Sequence, residues 1–466
     1  MNFAELRFWG ILAAGLAAVL LLRRCRPAGG DRRAATYDRA SLAALGLLLL
    51  AAVSVVTFVI YLSVLVLTHA GLAWILRHQA RHARRWLWVL IPLQLIPLFY
   101  YKYADFVVHG VLGAEAPGLR HLLIPVGISF YTFQMISFVL DTLAFRQPLP
   151  RFLDWMNYAG FFPQLVAGPI ERRADLLPQV EAFRWRWLPR DIDEGAGWIV
   201  LGLFFKCCLA DNLAGFFNRA PEANPFLIWL ANGVFGLRIY YDFAGYSLVA
   251  LGLGRCLGIR LTLNFVSPFC AASIADFWRR WHVTLSQWFR DYLYVPLGGG
   301  RVRWWAFNLA VVFVASGIWH GAGWNFILWG GLHAAYLVLN RLARPLRVPA
   351  PVGWILTLAA VTFAWLGFYE LDAGVLQAKM RALLTPAAYS MDALRAAAAL
   401  HGPREWFTLA MLLVLAATGL ALEWLSLRRG GEAYRLLRLP AVQVALVVLT
   451  VLLAPGKNNG FIYFAF

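Results

Sequence analysis

Long apolar runs alternate with short, arginine-rich links along this chain, and the runs predict helices of membrane-spanning length. The first, Trp9 to Leu22, stops at Arg23, Arg24 and Arg26. No small-residue cleavage pattern follows it, so it reads as an anchor and not as a removed signal peptide. The run from Ser41 to Leu76 exceeds one ordinary span, since about 20 apolar residues cross the hydrocarbon core. It predicts two short or tilted helices, although no Gly or Pro marks a break in its middle. Further runs at 87–106, 122–145, 195–217, 226–253, 305–319, 322–343, 352–371, 406–427 and 440–455 bring the expectation to roughly ten to twelve spans.

Two apolar segments are interrupted. Prolines and a Gly-Pro pair break YAGFFPQLVAGP (158–169), and a proline breaks LTLNFVSPFCAASIA (261–275). Such breaks free backbone groups that lipid cannot satisfy, so these segments belong inside the protein or along a cavity. The longest polar stretch, Glu171 to Glu194, mixes charges with Trp185, Trp187 and Leu188, which suits an interfacial helix. Residues 372–404 are only weakly apolar and read as an extracytoplasmic excursion. The expected class is all-α: a polytopic membrane protein with re-entrant and interfacial helices. It divides into N-terminal spans (1–120), a core (121–345) and C-terminal spans (346–466) within one membrane domain.

Composition agrees with this reading. The chain is 61% hydrophobic and 14% charged, outside the range of an ordinary soluble domain. Its net charge is +18, from 42 basic residues against 24 acidic ones, and only Lys102, Lys206, Lys379 and Lys457 are lysines. On a membrane protein such charge points to cytoplasmic loops and anionic headgroups, with nucleic acid a poor second. The loops Arg23–Arg39 and Arg77–Arg85 then face the cytoplasm, with the N-terminus outside. Cys25, Cys207, Cys208, Cys256 and Cys270 show no metal-ligand or paired spacing, so neither a zinc site nor a disulfide framework is expected.

Candidate chemistry concentrates between Asp276 and His333. Read as one helix, DFWRRWHVTLSQWFRDYLYVPLGGG places Trp278, His282, Leu285 and Phe289 on one face, with Ser286 one turn beyond His282 and an Asp276–Arg280 pair four residues apart. SGIWHGAGWNFILWGGLHA sets His320 beside Trp319 and among glycines that permit close approach. A neutral imidazole takes a proton from an alcohol near neutral pH more readily than any other side chain. The plainer readings are a headgroup contact for His282 and packing for His333. Asp242 follows Arg238 by four residues and suggests a structural ion pair, while Lys206 and Asp211 would close one end of a span. No histidine is followed by an aspartate five positions on, and neither GxSxG nor a phosphate-binding GxxxxGK[ST] is present.

The strings PVGISFYTFQMISFVLDT (125–142), FFPQLVAGPIERR (161–173), YYDFAGYS (240–247), LNFVSPF (263–269), DFWRRWHVTLSQWFRDYLYVPLGG (276–299), SGIWHGAGWNFILWGGLHA (316–334) and NGFIYFAF (459–466) closely resemble the membrane-bound O-acyltransferase family. The nearest branch holds the bacterial alginate O-acetylation and teichoic-acid D-alanyl transfer proteins. Leu248 and Val249 depart from the Asp-Met usual after YYDFAGYS in the alginate-type pattern. The resemblance implies a ring of helices around a tunnel, with His320 as catalytic base and His282 as a second functional residue.

It also implies an acyl thioester donor, acetyl-CoA or an acyl carrier protein, with no metal. The acceptor would be an exported glycan or an extracytoplasmic acyltransferase partner protein, at a bacterial cytoplasmic membrane. Trp278, Trp281, Ser286, Trp319, Asn325 and Asp242 are the candidates for lining the substrate tunnel. His282, Asn325 or a tryptophan N–H is the candidate oxyanion donor, and Arg279, Arg280 and Arg290 are candidates for the donor's phosphates. D-alanyl transfer to a teichoic-acid-type acceptor is the nearest alternative. A transporter or flippase using Lys206, Asp211 and Asp242, or a non-catalytic scaffold, lies further off.

Overall fold

The computed structural model describes residues 3–24, 31–119, 122–165, 168–216, 224–455 and 459–462. Cys25, Arg26, Lys457, residues 166–167 of the first broken run and residues 463–466 of the closing string lie outside them. Every regular element among the described residues is helical. Six helices there are long and apolar enough to cross a membrane: Leu6–Arg24, Asp31–Val53, Val55–His78, Pro189–Leu213, Ala350–Tyr369 and Pro403–Gly430. Three shorter apolar helices join them, Ile128–Leu143, Trp305–His320 and Pro440–Leu453. Large apolar side chains such as Leu6, Trp88, Phe407 and Val451 lie on the outside, Val451 with 76% of its surface exposed. Lipid, not water, is the solvent that suits them, and the protein is an all-α polytopic membrane protein.

The chain falls into two compact units, Met1–Ile199 with Tyr246–Leu263, and Val200–Gly245 with Asn264–Phe466. In the first unit, the run 41–76 forms two helices as expected. The break is made by Ser54, whose backbone is extended and whose hydroxyl accepts from Thr57 N and so caps Val55–His78. The first of these helices starts at Asp31, within what reads in sequence as a loop. Its charges are satisfied sideways: Arg39 pairs with Asp154 at 2.6 Å and Asp38 with Arg23 at 3.5 Å. The stretch 171–194 is not one interfacial helix. Arg173–Glu181 is helical, residues 183–188 are irregular, and a new helix starts at Pro189, a residue well suited to a first turn.

The described residues of the interrupted segment, 158–165 and 168–169, are buried in this unit apart from the half-buried Gly160, as prolines and glycines in an apolar run require. Gln164 Nε2 donates to the Tyr158 carbonyl and Tyr158 Oη to that of Glu171. Glu171 in turn accepts from Thr262 N at 2.6 Å and Thr262 Oγ1 at 3.0 Å, tying the segment to residues that follow the helix Pro225–Cys256. Burial pushes the Glu171 carboxyl up to about 7, while the Thr262 bonds pull the other way. The folded chain therefore binds this proton more tightly than an unfolded one titrating near 4.5, so stability falls as pH rises from about 4.5 through 7. Thermal melts in detergent across that window are expected to show a slope worth roughly 1–3 kcal/mol. Glu171→Gln should flatten it, and equal slopes in the two proteins would refute the assignment.

Candidate active site

All of the site lies in the second unit. Ser273 starts the first helix of the RRWH segment by accepting from Asp276 N. That helix runs only from Ile274 to Arg280, and a second runs from Val283 to Phe289. The single amphipathic helix expected from Asp276 is therefore broken at Trp281 and His282. His282 sits in the left-handed region, φ 44°, as N-cap of the second helix.

The break has a physical cause in Asn264. Its carbonyl accepts from Val283 N at 2.9 Å, and its Oδ1 accepts from Thr284 N at 3.2 Å and Thr284 Oγ1 at 3.0 Å. On the other side of the break, Val266 N donates to the Arg280 carbonyl. These bonds replace the helical ones lost at the kink. A non-glycine residue held at positive φ by its surroundings is the kind of strain found at functional positions.

The same Asn264 Oδ1 lies 3.1 Å from His282 Nδ1. Because a backbone N–H also donates to Oδ1, that atom is the amide oxygen, and Nδ1 must carry the imidazole proton. Neutral His282 thus presents Nε2 as an acceptor. Phe243 packs edge-on against its ring at 4.7 Å, and Trp319 at 5.9 Å.

His320 is the last residue of the helix Trp305–His320 and is 2% exposed. Trp319, Trp329 and Phe368 surround its ring with centroids at 4.9, 5.1 and 5.1 Å. The neighbouring helix Trp324–Leu342 reaches this place by backbone-to-backbone packing. A Cβ on Gly317 would lie 2.1 Å from the Phe326 carbonyl oxygen, and one on Gly330 would lie 2.3 Å from that of Phe313. Trp319 thus packs against both histidines. Trp281, Trp329 and Trp365 continue the aromatic wall, with Trp365 at 5.2 Å from Trp281 and 6.3 Å from Trp329. Trp365 also lines an apolar cavity of about 900 Å³ that extends past Trp354 and Trp424 to Arg428.

The remaining predicted residues fall in different places. His333 accepts from Trp278 Nε1 at 3.3 Å within the aromatic core, a hydrogen-bonded packing role that also occupies Trp278. Ser286 Oγ donates to the Trp281 carbonyl, and Asn325 Nδ2 donates to the Gly367 carbonyl, joining two helices. Asp276 pairs with Arg280 at 2.9 Å as its spacing suggested, and also with Arg279 at 3.3 Å. Arg279 and Arg290 are largely exposed, the latter pairing with Asp291.

Asp242 meets more than the Arg238 charge read from the sequence. Its Oδ1 lies 2.7 Å from Lys206 Nζ, which also pairs with Asp211 at 2.8 Å. This buried triad holds the segment 459–462. Lys206 donates to the Asn459 carbonyl, Asn459 Nδ2 to the Asp211 carbonyl, and Ile462 N to Asp242 Oδ2. Phe461 is thereby set against Phe243, the ring that packs on His282.

Sequence reasoning missed the roles of Asn264, Trp329 and Trp365. The indole N–H groups of both tryptophans are buried without a hydrogen-bond partner among the described residues. Their one sequence signal was the density of tryptophan itself. Among the described residues, no three His, Cys, Asp or Glu side chains gather as metal ligands would.

Fold and site together define a polytopic helical membrane protein with paired histidines buried in an aromatic pocket. The chain belongs to the membrane-bound O-acyltransferase family, whose model matches residues 40–369. It is 34% identical over 334 residues to a peptidoglycan O-acetyltransferase of Helicobacter pylori, covering 62% of this chain and 63% of the relative. It is 37% identical over 307 residues to a probable alginate O-acetylase of Pseudomonas aeruginosa, covering 62% and 58%. A teichoic acid D-alanyltransferase of Bacillus subtilis is 29% identical over 262 residues, covering 52% and 65%. The chain thus spans less than two thirds of each of these relatives.

Proposed function

We propose that this protein is an O-acyltransferase of a bacterial cytoplasmic membrane. It moves an acetyl or other short acyl group from a cytoplasmic thioester, acetyl-CoA or an acyl carrier protein, to a hydroxyl. That hydroxyl belongs to an exported polysaccharide or to a partner protein that relays the group onward. The observation that carries this reading is the burial of His320 and His282, both packed against Trp319, in a member of this family.

His320 is the general base. It takes the hydroxyl proton as the oxygen attacks the thioester carbonyl, and returns it to the departing thiolate, so that an ester and a free thiol result. His282, with its tautomer held by Asn264, receives a hydrogen bond at Nε2 and orients the acceptor hydroxyl. The Trp329 indole N–H, buried beside His320, stabilises the oxyanion. Asn325 has one amide hydrogen committed to Gly367, which makes it the weaker candidate. The exposed Arg279 and Arg290 suit the donor's phosphates or lipid headgroups equally well.

The test is transfer by the purified protein in vesicles, with an acetyl thioester labelled in the acetyl group. Label appearing as a hydroxylamine-sensitive ester on added glycan or on a co-purified protein is the expected result. Label found only as free acetate, with every candidate acceptor supplied, would sink the proposal. Preference for a D-alanyl over an acetyl thioester would move the protein to the teichoic-acid branch.

A further inference from the structure

Glu423 lies within the apolar helix Pro403–Gly430 with none of its surface exposed. Its Oε2 is 2.8 Å from Tyr240 Oη, Tyr240 Oη is 2.9 Å from Tyr434 Oη, and Tyr434 Oη donates at 3.1 Å to the carbonyl of Phe265. These are three contacts in a row, and the two phenols bring only two protons. Tyr434 spends its proton on Phe265. Tyr240 can donate to Tyr434 or to Glu423, but not to both. If Glu423 is a carboxylate, which only accepts, one contact sets lone pair against lone pair. A protonated Glu423 supplies the missing hydrogen, and the chain then runs one way: Glu423 to Tyr240, Tyr240 to Tyr434, Tyr434 to the Phe265 carbonyl.

The surroundings agree with the neutral form. The groups that face Glu423 are Tyr240 and Tyr241 from the helix Pro225–Cys256, Ser267 and Cys270 from the loop after Asn264, and Tyr434. Tyr241 donates to the Ala416 carbonyl, and burial pushes the Cys270 thiol up to about 12. None of these is a cation, and a buried carboxylate without one is costly.

The end of the chain of bonds gives it a purpose. Phe265 follows Asn264, which fixes the tautomer of His282, and precedes Val266, which bonds across the helix break to Arg280. Ser267, two residues on, is held at φ 50°, so the loop is strained on both sides of the kink and needs an external anchor. We propose that Glu423 is a neutral carboxylic acid and a positioning residue, which acts through Tyr240 and Tyr434 on the Asn264–His282 pair. The positioning role rests on the acyl-transfer reading; the protonation state does not.

Two measurements on the full-length protein test this. The infrared spectrum should hold a carboxylic-acid C=O band that disappears in Glu423→Gln, and this requires no turnover. In acyl transfer, Glu423→Gln retains a donor toward Tyr240 and should stay within about threefold of the parent kcat, whereas Glu423→Ala and Tyr434→Phe should lose roughly 10–100-fold in kcat with little change in KM. Absence of the band, or a Glu423→Gln enzyme as impaired as Glu423→Ala, overturns the proposal. If the band is present but the parent transfers no acyl group, the protonation state stands and the positioning role falls with the acyl-transfer reading.

Discussion

Replacing His320 with alanine is expected to lower kcat for acyl transfer by about 10²–10⁴-fold, the range a positioned general base contributes. The ring is enclosed by Trp319, Trp329 and Phe368 and is 2% exposed, so water has little room to stand in for it. Alanine also leaves a cavity, and for that reason His320→Gln belongs beside it. Glutamine restores much of the volume and the hydrogen bonding but cannot carry a proton away. Comparable losses of kcat in both variants, with melting temperatures near the parent's, mark the loss as chemical. A kcat for His320→Gln within about threefold of the parent would remove His320 from the role of base.

Trp329→Phe is expected to lower kcat about 10²–10³-fold, as the loss of one oxyanion donor does, with little effect on stability. The indole N–H of Trp329 is buried in the resting protein without a partner among the described residues. A buried donor left unmade costs about 1–3 kcal/mol. Removing it relieves the folded state, and the void left by the smaller ring offsets that gain. Trp365→Phe is the control. It removes a second buried, unpartnered N–H, but the Trp365 ring packs against Trp281, Trp329 and Phe368, one layer away from His320. Its kcat should change far less. Equal losses in the two variants, or none in Trp329→Phe, would show that this N–H does not meet the reacting carbonyl.

Much of this site is legible in the chain because its signals are local. His320 stands beside Trp319 and among glycines, and Gly317 does admit a neighbouring backbone. Asp276 and Arg280 are one helical turn apart and do pair, at 2.9 Å. The two helices within 41–76 follow from the thickness of a bilayer, whereas their hinge, Ser54, does not stand out in the sequence because a serine N-cap is a weaker mark than Gly or Pro. Helical periodicity extended the RRWH segment through His282, where the chain breaks, because periodicity is a near-neighbour argument.

Sequence alone therefore determined the solvent, the all-α class and the family, and it singled out two histidines as candidates, since hydrophobicity, composition and linear motifs need no knowledge of distant contacts. Tertiary structure alone decided the geometry. Asn264 breaks the helix at His282 and sets its tautomer, Lys206 claims Asp242 and fastens residues 459–462, and Glu423 reaches Phe265 through two tyrosines. In each case a buried polar group far along the chain outweighs the local preference. With no water to satisfy it in an apolar interior, a hydrogen bond or ion pair left unmade costs more than a turn of helix gains.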